Sequence, residues 1–303
     1  MTKGERFEGC IIGGAIGDAW GSGFENQFEA EDDTFFLVGN PYVRMPKWGI
    51  TDDTQLTLAT IEAIINNEDI DPQALATEFL VLFRSRELRG AGSTTLKALR
   101  ELDLGGHWSQ VGRRGHYAAG NGAAMRIAPL AFLEKLENTQ LRDLCSLTHN
   151  NDEAYIGAKC VVIAIREILN DKWAGEANLI EIIIDQIPDT LTRDRLIEIR
   201  DLNNLDEIAL LGKDGYVVNS VPLALAAVNQ VKNIGIEQMY TKLIALGGDT
   251  DTNASIAGQI AGTLVGIQGL PNNLINKLKQ LRDYNKIEET SKRLILKRGW
   301  NHY

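Results

Sequence analysis

The sequence predicts an all-α protein: an orthogonal bundle of roughly a dozen helices forming one compact domain over residues 1–303. Three observations lead there. Apolar residues recur at helical spacing through most of the chain, strand signals are nearly absent, and no linker interrupts the pattern. The seven prolines are scattered, and no Ser/Gly-rich or Pro-rich tract separates two halves. Residues Gln55–Ile65 place Leu56, Ala59, Ala63 and Ile64 on one face. Asp71-Pro72 opens the next helix, with Asp71 suited to cap it and Leu75, Phe79 and Leu82 pointing inward. Further helical patterns run over Ala123–Leu136, Ala154–Leu169, Ala177–Ile184, Val221–Val231, Ile234–Leu246, Asp251–Gly266 and Ile287–Lys297. Val38 and Tyr42–Met45, between Pro41 and Pro46, read as loop. Short connections imply antiparallel neighbours.

Two glycine stripes interrupt good helical pattern: Gly13, Gly17 and Gly21, then Gly258, Gly262 and Gly266. Each glycine costs a helix ~1 kcal/mol against alanine. Three on one stripe are explained by another backbone coming close, so both segments are expected at tight helix–helix crossings.

The 44% apolar content is that of a soluble globular chain, long enough for a sizeable core. The formal charge of −10 offers nothing to a phosphate backbone, so nucleic acid is not an expected partner. The three cysteines, Cys10, Cys145 and Cys160, are odd in number and form no CxxC pair. That argues against a disulfide scaffold or a zinc ribbon and suits a reducing compartment. Met1–Arg6 is polar, with no signal-peptide core, and no apolar run reaches the ~18 residues of a membrane span. A cytoplasmic location without membrane contact is the expectation.

The most informative residues form two oxygen-rich runs, Thr51-Asp52-Asp53-Thr54 and Gly247-Gly248-Asp249-Thr250-Asp251-Thr252, each just ahead of a helical pattern. Thr51 and Asp249 suit N-caps, and first-turn acids complement the helix dipole. One cap needs one oxygen, however, and each run supplies two carboxylates and two hydroxyls. Asp249 and Asp251 within one turn repel unless a cation offsets them. Hard oxygen donors without His or Cys suit Mg²⁺, Mn²⁺ or Ca²⁺ rather than zinc. The EF-hand alternative fails, because no twelve-residue loop ends in the required glutamate. Should the two helix starts meet in space, four carboxylates and two hydroxyls suffice for a pair of metals ~3.5–4 Å apart.

These runs belong to an ordered series of motifs. Gly14-Ala15-Ile16-Gly17-Asp18-Ala19 is followed by Glu25, then by Thr51–Thr54 and Gly90-Ala91-Gly92-Ser93-Thr94-Thr95. Gly120-Asn121-Gly122-Ala123-Ala124-Met125-Arg126, Thr148-His149 and Gly247–Asn253 complete it. In this order the chain resembles the ADP-ribosylglycohydrolase family, which includes the dinitrogenase reductase-activating glycohydrolases, from Gly9 to about Gly266. The resemblance implies an all-helical fold and two bound Mg²⁺ or Mn²⁺ ions. It implies Thr51, Asp52, Asp53, Asp249, Asp251 and Thr252 as metal ligands. Asp53 and Glu25 become alternative proton-transfer groups. Gly120, Asn121, Gly122 and His149, with Gly92 and Ser93, become contacts to the ADP-ribose.

The implied reaction cleaves the bond between the distal ribose and a protein side chain through an oxocarbenium-like state. The expected substrate is an ADP-ribosylated protein, most simply one modified on arginine, with Asp103 a candidate acid opposite the guanidinium. Serine-linked ADP-ribose, O-acetyl-ADP-ribose and a catalytically inactive binding or structural relative are the alternatives. An ADP-ribosyltransferase toxin or a regulatory system is a conceivable counterpart. Several of these residues also have plain structural readings. Asp18 suits a cap or hydrogen bond beside the glycine-rich helix. Asn121 between glycines suits a turn, and His149 suits a helix C-terminus. Trp20, Trp48 and Trp108 suit packing, and Arg126 suits either a pyrophosphate or a buried ion pair.

Overall fold

A computed structural model describes residues 1–25, 47–67 and 70–301; the loop expected around Val38 and Tyr42–Met45 lies outside them. Among the described residues, eleven helices have nine residues or more. In chain order they are α1 Lys3–Gly21, α2 Asp52–Asn66, α3 Pro72–Arg84, α4 Ser93–Asp103, α5 Asn138–Ser146 and α6 Asp152–Leu169, then α7 Leu191–Ile199, α8 Val217–Asn229, α9 Ile236–Leu246, α10 Thr250–Val265 and α11 Tyr284–Arg298. Among the described residues the only sheet is a two-residue parallel ladder, Arg113–Arg114 against His149–Asn150. The fold is therefore all-α, as the periodicity predicts. No described helix is long and apolar enough to cross a membrane.

The local rules operate as read. Asp71 accepts from the Ala74 amide at 2.7 Å with Pro72 in the first turn. Leu75, Phe79 and Leu82 are buried beneath that helix. Asn151 caps α6 through the Glu153 and Ala154 amides. Two expected helices differ. Ala123–Leu136 is not one helix but a 3-10 segment over Asn121–Arg126 followed by a single turn, Ala128–Ala131. Pro129 has no amide to donate to the Met125 carbonyl, which accepts from the Thr57 and Gln259 side chains instead, so the two turns do not merge. Ile234–Leu246 is broken at Gly235, whose φ of +79° ends one short turn and starts α9.

The buried residues form one apolar cluster running from Phe7 to Trp300. Its axis is the antiparallel crossing of α1 and α10, the most extensive helix pair in the molecule. The two glycine stripes are each other's partner. A Cβ on Gly13 would lie 2.4 Å from the Gly258 carbonyl oxygen, and one on Gly17 would lie 2.1 Å from that of Ala254. A Cβ on Gly21 would lie 2.4 Å from the Thr250 oxygen. Gly9 extends the stripe against Gly262. Tyr240 of α9 donates to the Gly13 carbonyl at 2.7 Å, closing the crossing from the side. The glycines thereby bring the end of α1 onto the start of α10, where the second acidic run stands. All three cysteines are buried and free.

Candidate active site

The first acidic run is held by a carboxylate from α1. Asp18 is fully buried and accepts from four donors: the Thr51 amide (3.1 Å), the Thr51 hydroxyl (2.7 Å), the Thr54 amide (3.1 Å) and the Thr54 hydroxyl (2.5 Å). These bonds fix the N-terminus of α2, as the capping reading of Asp18 expects. Burial pushes the Asp18 carboxyl up to about 6 even though those bonds favour its charged form. The Thr51 hydroxyl also accepts from the Asp53 amide at 3.4 Å.

The second run is held differently. Asp249 stands at the N-cap position of α10 but makes no side-chain cap bond. Its carboxylate instead accepts from the Asn121 side-chain amide at 2.7 Å, and its own amide donates to the Lys213 carbonyl at 3.0 Å. The two runs meet where the Thr252 hydroxyl donates to Asp53 Oδ2 at 3.1 Å. Residues separated by most of the chain thus share one site.

That site opens into a cavity of about 660 Å³. Asp52, Asp53, Asp249, Asp251 and Thr252 line it together with Glu25. So do Gly92 and Ser93 at the start of α4, Gly120, Asn121 and Gly122 of the 3-10 segment, and His149. Thr51 does not itself line the cavity; its hydroxyl donates to Asp18, accepts from the Asp53 amide and lies 3.5 Å from Asp53 Oδ2. Asp103 is far from this role: it pairs with Arg84 at 2.6 Å beside a separate surface depression. Nothing from residues 101–116 lines the cavity. Arg126 is fully buried and bonds the Leu144 carbonyl and the Thr148 hydroxyl, both at 3.1 Å. Among the described residues it pairs with no carboxylate, so the expected buried ion pair is not formed, and it does not line the cavity. Trp20 and Trp48 stack on each other at 5.7 Å and, like Trp108, pack outside the cavity.

The residues that sequence reasoning missed are Lys213, Asp214 and Gly215, whose loop forms the facing wall. Gly215 accepts from the Asn121 amide through its carbonyl at 3.0 Å. A Cβ there would lie 3.1 Å from Asp249 Oδ2, so the glycine lets the loop approach the acid. The signal available was the Gly212–Gly215 stretch, two glycines around Lys-Asp between helical patterns.

The electrostatics fit a cation. One carboxylate oxygen each from Glu25, Asp249 and Asp251 lies within 4.8 Å of the others. Asp53 Oδ1 is buried with no hydrogen-bond partner among the described residues. Burial and then Asp18 push Asp52 up to about 8; burial and then Asp249 push Asp251 up to about 10. Asp53 is held well above the usual carboxylate range by burial and then by Asp251. Glu25 is raised by burial and by Asp249. Crowded acids with an orphaned buried oxygen and only oxygen donors suit a hard divalent ion.

The ADP-ribosylglycohydrolase model matches residues 1–302, and the chain belongs to that family. ADP-ribosylhydrolase ARH3 of Gallus gallus is 25% identical, over 88% of this chain and 87% of its own length. ADP-ribosylarginine hydrolase Tri1 of Pseudomonas putida is 27% identical, over 90% of this chain and 74% of its own. A solved structure described as an ADP-ribosylglycohydrolase-related protein complex has a TM-score of 0.63 at 26% identity, covering 96% of this chain and 97% of that one. The chain is accordingly an ADP-ribosylglycohydrolase.

Proposed function

We propose that this enzyme removes ADP-ribose from modified arginine side chains of proteins, at a centre holding two Mg²⁺ or Mn²⁺ ions. The observation that carries the reading is the Thr252–Asp53 contact, which joins the two acidic runs at the floor of one cavity. Thr51, Asp52, Asp53, Asp249, Asp251 and Thr252 would hold the metals, with Glu25 at their edge. Such ions, when bound, orient ribose hydroxyls and make water more acidic.

The chain's own groups do the rest. Asn121 aims Asp249, and Asp18 aims Asp52 and Asp53 by fixing the turn they stand on. The Gly120–Gly122 segment and His149 form the wall along which the ADP-ribosyl group lies. Glu25 is exposed and its carboxyl is raised, which suits it to exchange a proton with the water or the leaving group. Asp53 is fully buried and already hydrogen-bonded to Thr252, which suits it better to holding than to shuttling. For the acceptor, the exposed acids Glu25 and Asp214 at the cavity favour a cationic leaving group. One relative, Tri1 of Pseudomonas putida, is named an ADP-ribosylarginine hydrolase.

The test compares ADP-ribose release from arginine- and serine-modified peptides with Mg²⁺ or Mn²⁺ added. Release from the arginine peptide, abolished by chelator and restored by metal, is expected. Release from the serine peptide alone would replace the acceptor. Turnover unchanged by chelation would remove the metal centre.

A further inference from the structure

We propose that Arg126 and Thr148 are positioning residues that lock His149 in the neutral tautomer with its proton on Nε2, so that the ring offers the cavity one fixed hydrogen-bond donor. The argument starts from Thr148, which is fully buried. Its hydroxyl has two partners: it accepts from Arg126 Nη2 at 3.1 Å and faces His149 Nδ1 at 2.9 Å. A guanidinium can only donate. It therefore occupies one lone pair of the hydroxyl, and the single hydroxyl proton is left to find an acceptor. Nδ1 is the acceptor within reach among the described residues. Were Nδ1 to carry the proton instead, the hydroxyl proton would be buried without a partner, the more costly arrangement. Nδ1 accordingly accepts and Nε2 carries the hydrogen.

Nε2 faces the two glycines of the cavity wall. A Cβ on Gly122 would lie 2.6 Å from His149 Cε1, and one on Gly120 would lie 3.1 Å from Nε2. The glycines thus make room for the ring edge. His149 lines the cavity, and its Nε2 makes no hydrogen bond among the described residues. The parallel pairing of His149 with Arg113 fixes the backbone beneath the ring. The charged groups around it are Arg126 from the 3-10 segment and Arg113 from the ladder, both cations that oppose an imidazolium. Burial and then these arginines lower the His149 pKa to about 3. Arg126 itself is held by Nη2 alone: among the described residues its Nε and Nη1 have no hydrogen-bond partner, and its guanidinium stacks over the Phe79 ring at 4.8 Å. What the donor meets, an acceptor oxygen of the ADP-ribosyl group, rests on the function proposed above; the tautomer does not.

Long-range ¹H–¹⁵N correlation spectra of the full chain at neutral pH read the tautomer directly, since only four histidines are present. The expected pattern for His149 is a protonated-type shift on Nε2 and an acceptor-type shift on Nδ1. Thr148→Ser should retain it. Thr148→Val should give mixed tautomers and about tenfold weaker ADP-ribose binding, the ~1.4 kcal/mol of one hydrogen bond. Arg126→Met should also mix the tautomers; if that variant does not fold, Thr148→Val carries the test. A proton on Nδ1 in the wild type, a cationic ring at neutral pH, or a Thr148→Val spectrum identical to wild type would overturn the relay. Failure of wild-type protein to bind ADP-ribose, with the expected tautomer present, would overturn the proposed site and leave the relay standing.

Discussion

The two acidic helix starts do the same job by opposite means. The start of α2 is clamped by side chains: Asp18 gathers both amides and both hydroxyls of Thr51 and Thr54. The start of α10 lacks a side-chain cap and is placed chiefly by backbone, through the glycine crossing with α1 and the Lys213 carbonyl, with Asn121 bonding the Asp249 carboxylate and the Thr250 hydroxyl donating to the Gly21 carbonyl. Both means originate on α1, from Asp18 in one case and from Gly17 and Gly21 in the other. One rigid helix therefore serves as the ruler between carboxylates that the sequence keeps far apart. A clamp can be loosened by degrees, whereas a backbone crossing yields only by separating the helices.

The comparison is broken most severely at the crossing. Gly17→Ala would place a methyl 2.1 Å from the Ala254 oxygen, with no flexible side chain to give way. The expected cost is at the upper end of overpacking, about 3 kcal/mol or more, measured by urea denaturation, together with loss of divalent binding. A variant as stable as wild type would show that the crossing does not set the site. Asp18→Asn attacks the clamp instead. It removes the charge but keeps one acceptor, so a loss of about 2 kcal/mol is expected, with weaker Mn²⁺ binding by calorimetry and the fold retained by circular dichroism.

Asp251→Asn should act in the opposite direction on stability. It removes one of the mutually repelling acids, so the metal-free protein should melt higher while metal binding and turnover fall away. Retention of both metal and turnover would contradict the assignment of α10. The pH dependence follows from the same groups. Asp52 and Asp251 bind their protons more tightly in the folded chain, at about 8 and 10, than the usual value of 3.8 when unfolded. The native state holds more protons across that window, so the metal-free melting temperature should fall as pH rises from about 5 toward 8. Mn²⁺ should raise it, and more so at the higher pH. The smallest effect is expected at Gly92→Ala, because a Cβ there meets nothing within 4 Å. Its stability should stay within about 0.5 kcal/mol of wild type, and any loss then seen in substrate KM reports the cavity wall alone.

Much of this was legible before any coordinates. The capping of α2 and α3, the helical faces of Leu56 and Phe79, and most of the residues that come to line the cavity follow from local pattern and motif order. What was misread has physical causes. Asp103 looked like an acceptor-side acid because its loop lacked a motif, yet the turn of α4 delivers it to Arg84. The Lys213–Gly215 wall went unseen because a short polar loop has no periodicity to read.

By itself the sequence determined which elements form and which residue types sit at their ends, since helix periodicity, capping and glycine cost are decided within a few residues. It also exposed the glycine stripes as places of close approach. Only the tertiary structure decided that the stripes meet each other, that Asp53 and Thr252 touch, and that Arg126 answers to a hydroxyl rather than to an acid. Those outcomes depend on how helices cross in three dimensions, and a crossing is fixed by the shapes of both surfaces together, which no stretch of one helix contains.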